Sequence, residues 1–262
     1  MRISSIIFII KILKIFGFGR GFLKKYLYNI LNKYSENLPI KIFYKNFYFE
    51  TYPLENSTEA KMITSSRMLE KVELKYLKNL KKSNNSIFVD IGGNIGYYSI
   101  MASNFGFDKI YCFEPLENLC LRIEKNILLN NLQNKIQVIN KAVDESSQKA
   151  SIFVSKENLG NSSMIIDSVN SEMKNIETTT LFEFLESNNI KKIDAIKIDI
   201  EGYEDRALLP YLKQIDFINL PKLVIIEHVN KKHWKTDVIN YMKDNGYRII
   251  KYTRGNTILR ID

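Results

Sequence analysis

The chain has 262 residues, 45% of them apolar and 26% charged, with only two cysteines. Such a chain makes one large domain, or a domain with an appendage, without disulfide or metal staples. Disorder, collagen-like repeats and a multi-span membrane protein are excluded, and Cys112 and Cys120, both in apolar surroundings, fit a reducing cytoplasm rather than a disulfide framework. The net charge of +9 is uneven: residues 1–35 carry seven basic side chains and no acid. The rest is close to balanced, which argues against a nucleic-acid groove.

In chain order, the basic arm comes first. Its longest uncharged apolar run, Ile6–Ile10, is far too short to span a bilayer, and no small-residue cleavage site follows. Apolar residues at 3, 6, 7, 10 and 13, then at 23, 27, 30 and 31, predict two short amphipathic helices separated by Gly17, Gly19 and Gly21. Two readings stay open for residues 1–34: a surface anchor on anionic lipid, which would make the protein membrane-associated, or helices packed on the main domain. Residues 40–52 read as a strand or hairpin, and 59–81 as one helical stretch. The polar break at 81–86 then sets the expected boundary between an arm and cap, 1–83, and a main domain, 84–262.

From there short apolar runs alternate with helical stretches. The runs are Ile87–Ile91, Lys109–Glu114, Ile136–Val143, Ile193–Ile200 and Leu223–Glu227. Helices are expected near 95–105, 117–131, 181–189, 203–213 and 236–245, one of them behind a capping box of Thr180 and Glu183. This alternation predicts an α/β fold, a doubly wound Rossmann-like sheet with helices on both faces. Tyr247–Tyr252 and Thr257–Ile261 predict an antiparallel hairpin at its edge, and Lys149–Val154 a strand-like insertion.

The first strand runs into a glycine turn: Asp90, Ile91, Gly92, Gly93, Asn94, Ile95, Gly96. In doubly wound sheets ligands bind at such strand tips. The dinucleotide spacing G-x-G-x-x-G fails, because positions 94 and 97 hold Asn94 and Tyr97. Asp90 beside the turn would repel a pyrophosphate but suits a cationic ligand, and Glu114, at the tip of the next strand, can accept from both hydroxyls of a ribose. Two acids, a glycine turn and no phosphate cradle describe a nucleoside joined to an amino acid, which is S-adenosylmethionine. On the other reading the two acids merely cap helices.

The segments VDIGGNIG, FEP and KIDIEGYE (197–204) resemble, in order and spacing, the motifs of the FkbM-type family of S-adenosylmethionine-dependent class I methyltransferases. The resemblance covers about residues 84–230, with Gly93 a mild change from the usual small residue. It implies that Asp90 and the backbone at Gly92, Gly93, Asn94 and Gly96 hold the methionine part of the cofactor, that Glu114 holds the ribose, and that Ala142 edges the adenine. Asn161, Ser162 and Ser163 fall where the family has an active-site loop, and would bind the acceptor or form an ordinary turn.

Methyl transfer to a hydroxyl needs alignment and a proton acceptor. Asp199 and Glu201 end the fourth parallel strand and His228 the fifth, so these three are the catalytic candidates, each with a structural role as its alternative. No third oxygen ligand stands at metal spacing, and no metal is expected. The family resemblance implies O-methylation of a small-molecule or glycan acceptor, such as a sugar, glycolipid or secondary metabolite, with no nucleic acid partner. N-methylation is the alternative within the same chemistry; an NAD-dependent oxidoreductase and a non-catalytic partner subunit are those outside it.

Overall fold

The structure, a computed structural model, describes residues 3–34, 39–165 and 170–261. The arm forms α1 (Ile3–Ile15) and α2 (Lys24–Tyr34), and the chain reverses between them at Gly17, which adopts φ +88°. Ile6 and Ile10 of α1 and Leu27 and Leu31 of α2 are buried together against Ile40, Ala60 and Ile63. Each such side chain contributes about 1.5–3 kcal/mol by leaving water, so one face of the arm packs on the cap.

The cap is a hairpin, β1 (Ile40–Tyr44) and β2 (Phe47–Thr51), followed by α3 (Ser57–Thr64) and α4 (Lys71–Lys78). The single helix expected over 59–81 is broken at 65–70. Tertiary bonds replace helical ones there: Leu69 donates its N–H to the Tyr44 hydroxyl at 3.0 Å, and its carbonyl accepts from the Tyr97 hydroxyl at 3.0 Å. Glu70 closes the break in a left-handed conformation, φ +44°.

The boundary expected at residue 84 crosses a continuous core. Phe49, Met62, Leu74 and Leu77 pack in one cluster with Phe88, Ile95, Ile100 and Ile225. Arg122 further ties the cap to the domain through Glu55 and the fully buried Glu59.

The domain runs β3 (Ile87–Ile91), α5 (Tyr97–Ser103), β4 (Lys109–Phe113), α6 (Glu117–Leu129), β5 (Ile136–Ile139), β6 (Ala142–Val143), β7 (Lys149–Ser155), β8 (Ser171–Thr179), α7 (Leu181–Ser187), β9 (Ala195–Ile198), α8 (Glu204–Gln214), β10 (Leu223–Glu227), α9 (Val238–Asp244), β11 (Arg248–Tyr252) and β12 (Asn256–Arg260). Seven strands form the main sheet in the order β11-β12-β10-β9-β3-β4-β5. β5, β4, β3, β9 and β10 are parallel; β12 pairs antiparallel with both β10 and β11. This is the doubly wound sheet with its terminal hairpin, β12 slotted inside β11.

Two details depart from expectation. The run 136–143 splits: β5 stays in the main sheet, while β6 pairs with β8. The insertion β7 also has β8 as its partner, so β6, β8 and β7 make a second small sheet. β8 carries too many exposed polar side chains to show a strand period in sequence. The capping box forms by half: Thr180 accepts from the Glu183 N–H at 3.0 Å, but the Glu183 carboxylate turns to Ser147.

Candidate active site

The strand order reverses between β4, β3 and β9, and a cleft of about 250 Å³ opens there, at the carboxyl ends of the strands. Asp90, Gly92, Gly93, Asn94, Glu114, Ala142, Asn161, Ser162, Ser163, Asp199 and Glu201 all line it. Among the described residues, two predicted positions lie outside that lining: Gly96, whose left-handed backbone starts α5 beneath the turn, and His228.

Sterics set the glycine turn. Gly92 has φ +82°, and a Cβ there would stand 2.1 Å from the Asp199 carbonyl oxygen, so no other residue fits without moving β9. A Cβ on Gly93 would meet Cys112 Sγ at 2.3 Å. The change at this position is therefore not mild: a larger residue would have to displace a buried thiol.

Both acids of the turn face the cleft and both also serve the backbone. Asp90 Oδ2 accepts from the Ser99 N–H at 3.0 Å and the Ser99 hydroxyl at 2.6 Å. Burial lifts its pKa to about 6, against the pull of Ser99 and Lys197. Glu114 accepts from the Leu116 N–H at 3.0 Å on one oxygen and the Asn94 N–H at 2.9 Å on the other. Burial raises it to about 7. The helix-capping and ligand-facing readings of these acids thus coexist, since each carboxylate oxygen has lone pairs for two partners.

At the tip of β9 the arrangement is different. Lys197 lies in register beside Asp90 on the neighbouring strand and donates to Asp199 Oδ2 at 3.0 Å. Burial alone would lower the Lys197 pKa, but Asp199 and Glu70 outweigh it and hold the amine charged. Glu201 sits at φ +54°, and its Oε2 accepts from the Asn230 amide at 2.7 Å. Burial first, then Asp199 and Glu204, push Glu201 up to about 7. Glu204 shapes this turn by accepting from the Ile200 and Gly202 N–H groups and from the Trp234 indole at 2.7 Å. Trp234 thereby braces the loop through Glu204.

The cap completes the cleft. Ser57, Thr58 and Lys61 of α3 line one rim, and Glu70 faces Lys197 and Tyr98 within it. None of these was visible in sequence. Lys197 stood inside the KIDIEG segment and could have been found as a buried lysine among acids; Glu70 is brought in only by the helix break. The loop carrying Asn161, Ser162 and Ser163 is pinned to this rim, since Asn158 accepts from the Ser57 N–H at 3.0 Å; the glycine turn is tied to the same cap, Asn94 accepting from the Asn56 amide at 2.5 Å. Ser163 is buried and donates to the Glu201 carbonyl at 2.9 Å, so it locks the loop to the β9 turn; Ser162 donates to Leu159 and Asn161 is exposed.

His228 is drawn away. Its Nδ1 is 2.9 Å from the Thr257 hydroxyl and its ring packs edge-on to Tyr252 of the terminal hairpin, where burial and then Lys231 lower its pKa. Unlike Asp199 and Glu201, it does not line the cleft.

The donor set suits an adenosyl sulfonium. Leu119, Ala142 and Ile152 make an apolar slot, Glu114 lines the cleft with them, and the floor near the turn is rich in carboxylates. Sheet and cleft together define an S-adenosylmethionine-dependent methyltransferase of Rossmann-like fold. The particular family follows: the chain belongs to the FkbM methyltransferases, whose family model, "Methyltransferase FkbM domain", matches residues 90–249.

Among solved structures the chain is similar to the methyltransferase FkbM from Methylobacillus flagellatus KT, at 17% identity and a TM-score of 0.46, covering 69% of this chain and 44% of that one. It is also similar to SMU.1697c from Streptococcus mutans in complex with SAH (13%, TM-score 0.47, 74% and 98%). An rRNA methylase from Streptococcus thermophilus follows at 11%, TM-score 0.46, 75% and 99%. The chain thus spans less than half the length of the M. flagellatus protein. No curated protein matches it.

Proposed function

We propose that the protein methylates the oxygen of a hydroxyl on a small or glycan acceptor, and that Glu201 is the general base. The observation that carries this reading is the contrast between the two acids at the β9 tip. Asp199 is committed to the Lys197 ammonium, whereas Glu201 lines the cleft with a pKa of about 7, suited to taking a proton at neutral pH. The near-balanced charge outside the arm supports a small acceptor over a polyanion.

Asp90, Glu114, Ala142 and the backbone at Gly92, Gly93 and Asn94 would hold the donor. When bound, the donor supplies an electrophilic methyl on a positively charged sulfur. The chain's own residues do the rest. Ser57, Thr58, Asn161 and Ser162 offer hydroxyls and amides to an acceptor at the rim; Glu201 receives its proton; the Lys197–Asp199 pair fixes the floor beneath. Ser163 holds the loop against the Glu201 turn and so helps exclude water.

The test is Glu201→Gln, with labelled methyl transfer into a fractionated extract of the source cell. Transfer should fall roughly 10²–10⁴-fold, while S-adenosylhomocysteine affinity stays within about 3-fold of wild type. Label found in a hydroxyl-bearing small molecule or glycan supports the reading. Label in RNA, in an amine, or undiminished transfer by the variant overturns it.

A further inference from the structure

Helix α1 is apolar on two opposite sides, yet the fold covers only one of them. Ile6 and Ile10 are 1% exposed against the cap. On the opposite side Phe8, Ile12, Ile15 and Phe16 are exposed, Ile15 at 81% and Phe16 at 73%. Phe8, Ile12 and Ile15, separated by four and three residues, align as one stripe along the helix, and Phe16 follows just past its end. Phe22 continues it beyond the Gly17 reversal at 72% exposure. An exposed apolar stripe of this kind calls for a partner.

Charge selects that partner. The first 35 residues hold seven basic side chains and no acid, and Lys11, Arg20 and Lys25 are exposed around the stripe. A second copy of the arm would bring like charge against like. An anionic lipid surface offers both an apolar interior for the aromatic and aliphatic side chains and negative headgroups for the lysines and arginine. No described helix is long and apolar enough to cross a membrane, so the contact lies in the interface plane.

We propose that α1 and the reversal after it form a peripheral docking surface for anionic bilayers, with the inner face of the arm clamped to the cap. The placement has a consequence for access. Helix α3 holds the arm through Ala60 and Ile63, and its Ser57, Thr58 and Lys61 line the cleft. Eight residues of helix span about 12 Å, so docking brings the cleft rim close to the headgroups. The docking itself does not depend on which acceptor is methylated.

The experiment is co-sedimentation of the full-length protein with phosphatidylcholine vesicles, with and without phosphatidylglycerol. Wild type should pellet with the anionic vesicles and less so as salt rises. Combining Phe8→Ser, Ile12→Ser, Ile15→Ser and Phe16→Ser should weaken binding at least about 10-fold. S-adenosylhomocysteine affinity should be unchanged, which certifies the fold. Combining Lys11→Glu, Arg20→Glu and Lys25→Glu should abolish the preference for phosphatidylglycerol. Wild type that pellets with neither vesicle, or apolar variants that pellet as well as wild type, would overturn the proposal. A dimer in sedimentation equilibrium that the four serine substitutions dissolve would assign the stripe to a second copy and overturn it equally.

Discussion

The two halves of the cleft use the same chemical group in opposite ways. On the β3–β4 side, Asp90 accepts from the backbone N–H of Ser99 in α5, and Glu114 from those of Asn94 and Leu116 in the turns after β3 and β4, so their position is tied to the fold itself. On the β9–β10 side, burial and then repulsion from Asp199 and Glu204 raise Glu201, in the cleft, to about 7 and Glu227, behind it at the end of β10, to about 8. A carboxylate anchored by backbone suits recognition, where geometry must not drift. One raised toward neutrality by burial and nearby acids without that anchoring, as Glu201 is, leaves both protonation states within reach for proton transfer. Burial lifts Asp90 to about 6 and Glu114 to about 7 as well, so the two sides differ in what holds the carboxylates and not in whether they titrate.

The β3–β4 side can be broken most severely at Gly92. Ala at this position has both a left-handed backbone to adopt and the Asp199 carbonyl in its way. Gly92→Ala should weaken S-adenosylhomocysteine binding roughly 100-fold or more, measured by calorimetry on protein whose circular dichroism is unchanged. Wild-type affinity would mean that the turn does not define the site.

The β9–β10 side can be sharpened through Glu227. Its folded pKa, about 8, lies above the ordinary 4.5, so the native state keeps a proton that the unfolded chain releases. That contribution to stability is full below about pH 4.5 and is lost as pH rises toward about 8. Glu227→Gln keeps an acceptor for the Val229 N–H while removing the titration. It should flatten the fall in Tm between about pH 5 and about pH 8 and raise Tm at the upper end by a few degrees. An unchanged slope would show that Glu227 does not titrate in this range.

The smallest effect is expected just beyond the cleft. His228→Ala removes a ring that serves the hairpin, so methyl transfer should change by no more than about 2-fold. A loss of 10-fold or more would return the histidine to the site.

How much of this could be read from sequence follows the same divide. Asp90 and the glycine turn were legible because strand and turn are consecutive residues with local geometry; Glu114 was legible because it ends the very next strand. The antiparallel hairpin was legible for the same reason. Glu70 was not, because it reaches the cleft through a break in a helical pattern that Tyr44 and Tyr97 enforce from a distance. β8 was hidden by its polar exposed face, and with it the partner that turns β7 into a sheet. His228 carried the right chemistry at a strand end, yet Thr257 and Tyr252, on a strand pair later in the chain, decide where its ring points. The arm left two readings open in sequence; in the structure one face of α1 packs on the cap, and the other stays exposed.

The bond from Trp234 to Glu204 has an optical consequence. Trp234 is the only tryptophan in the chain, and a single carboxylate separates its indole from the backbone amides of the Glu201 turn. Any rearrangement of that turn changes the polarity felt by the indole, so the emission maximum of the native protein becomes a label-free gauge of whether ligands have reached the turn that carries Glu201.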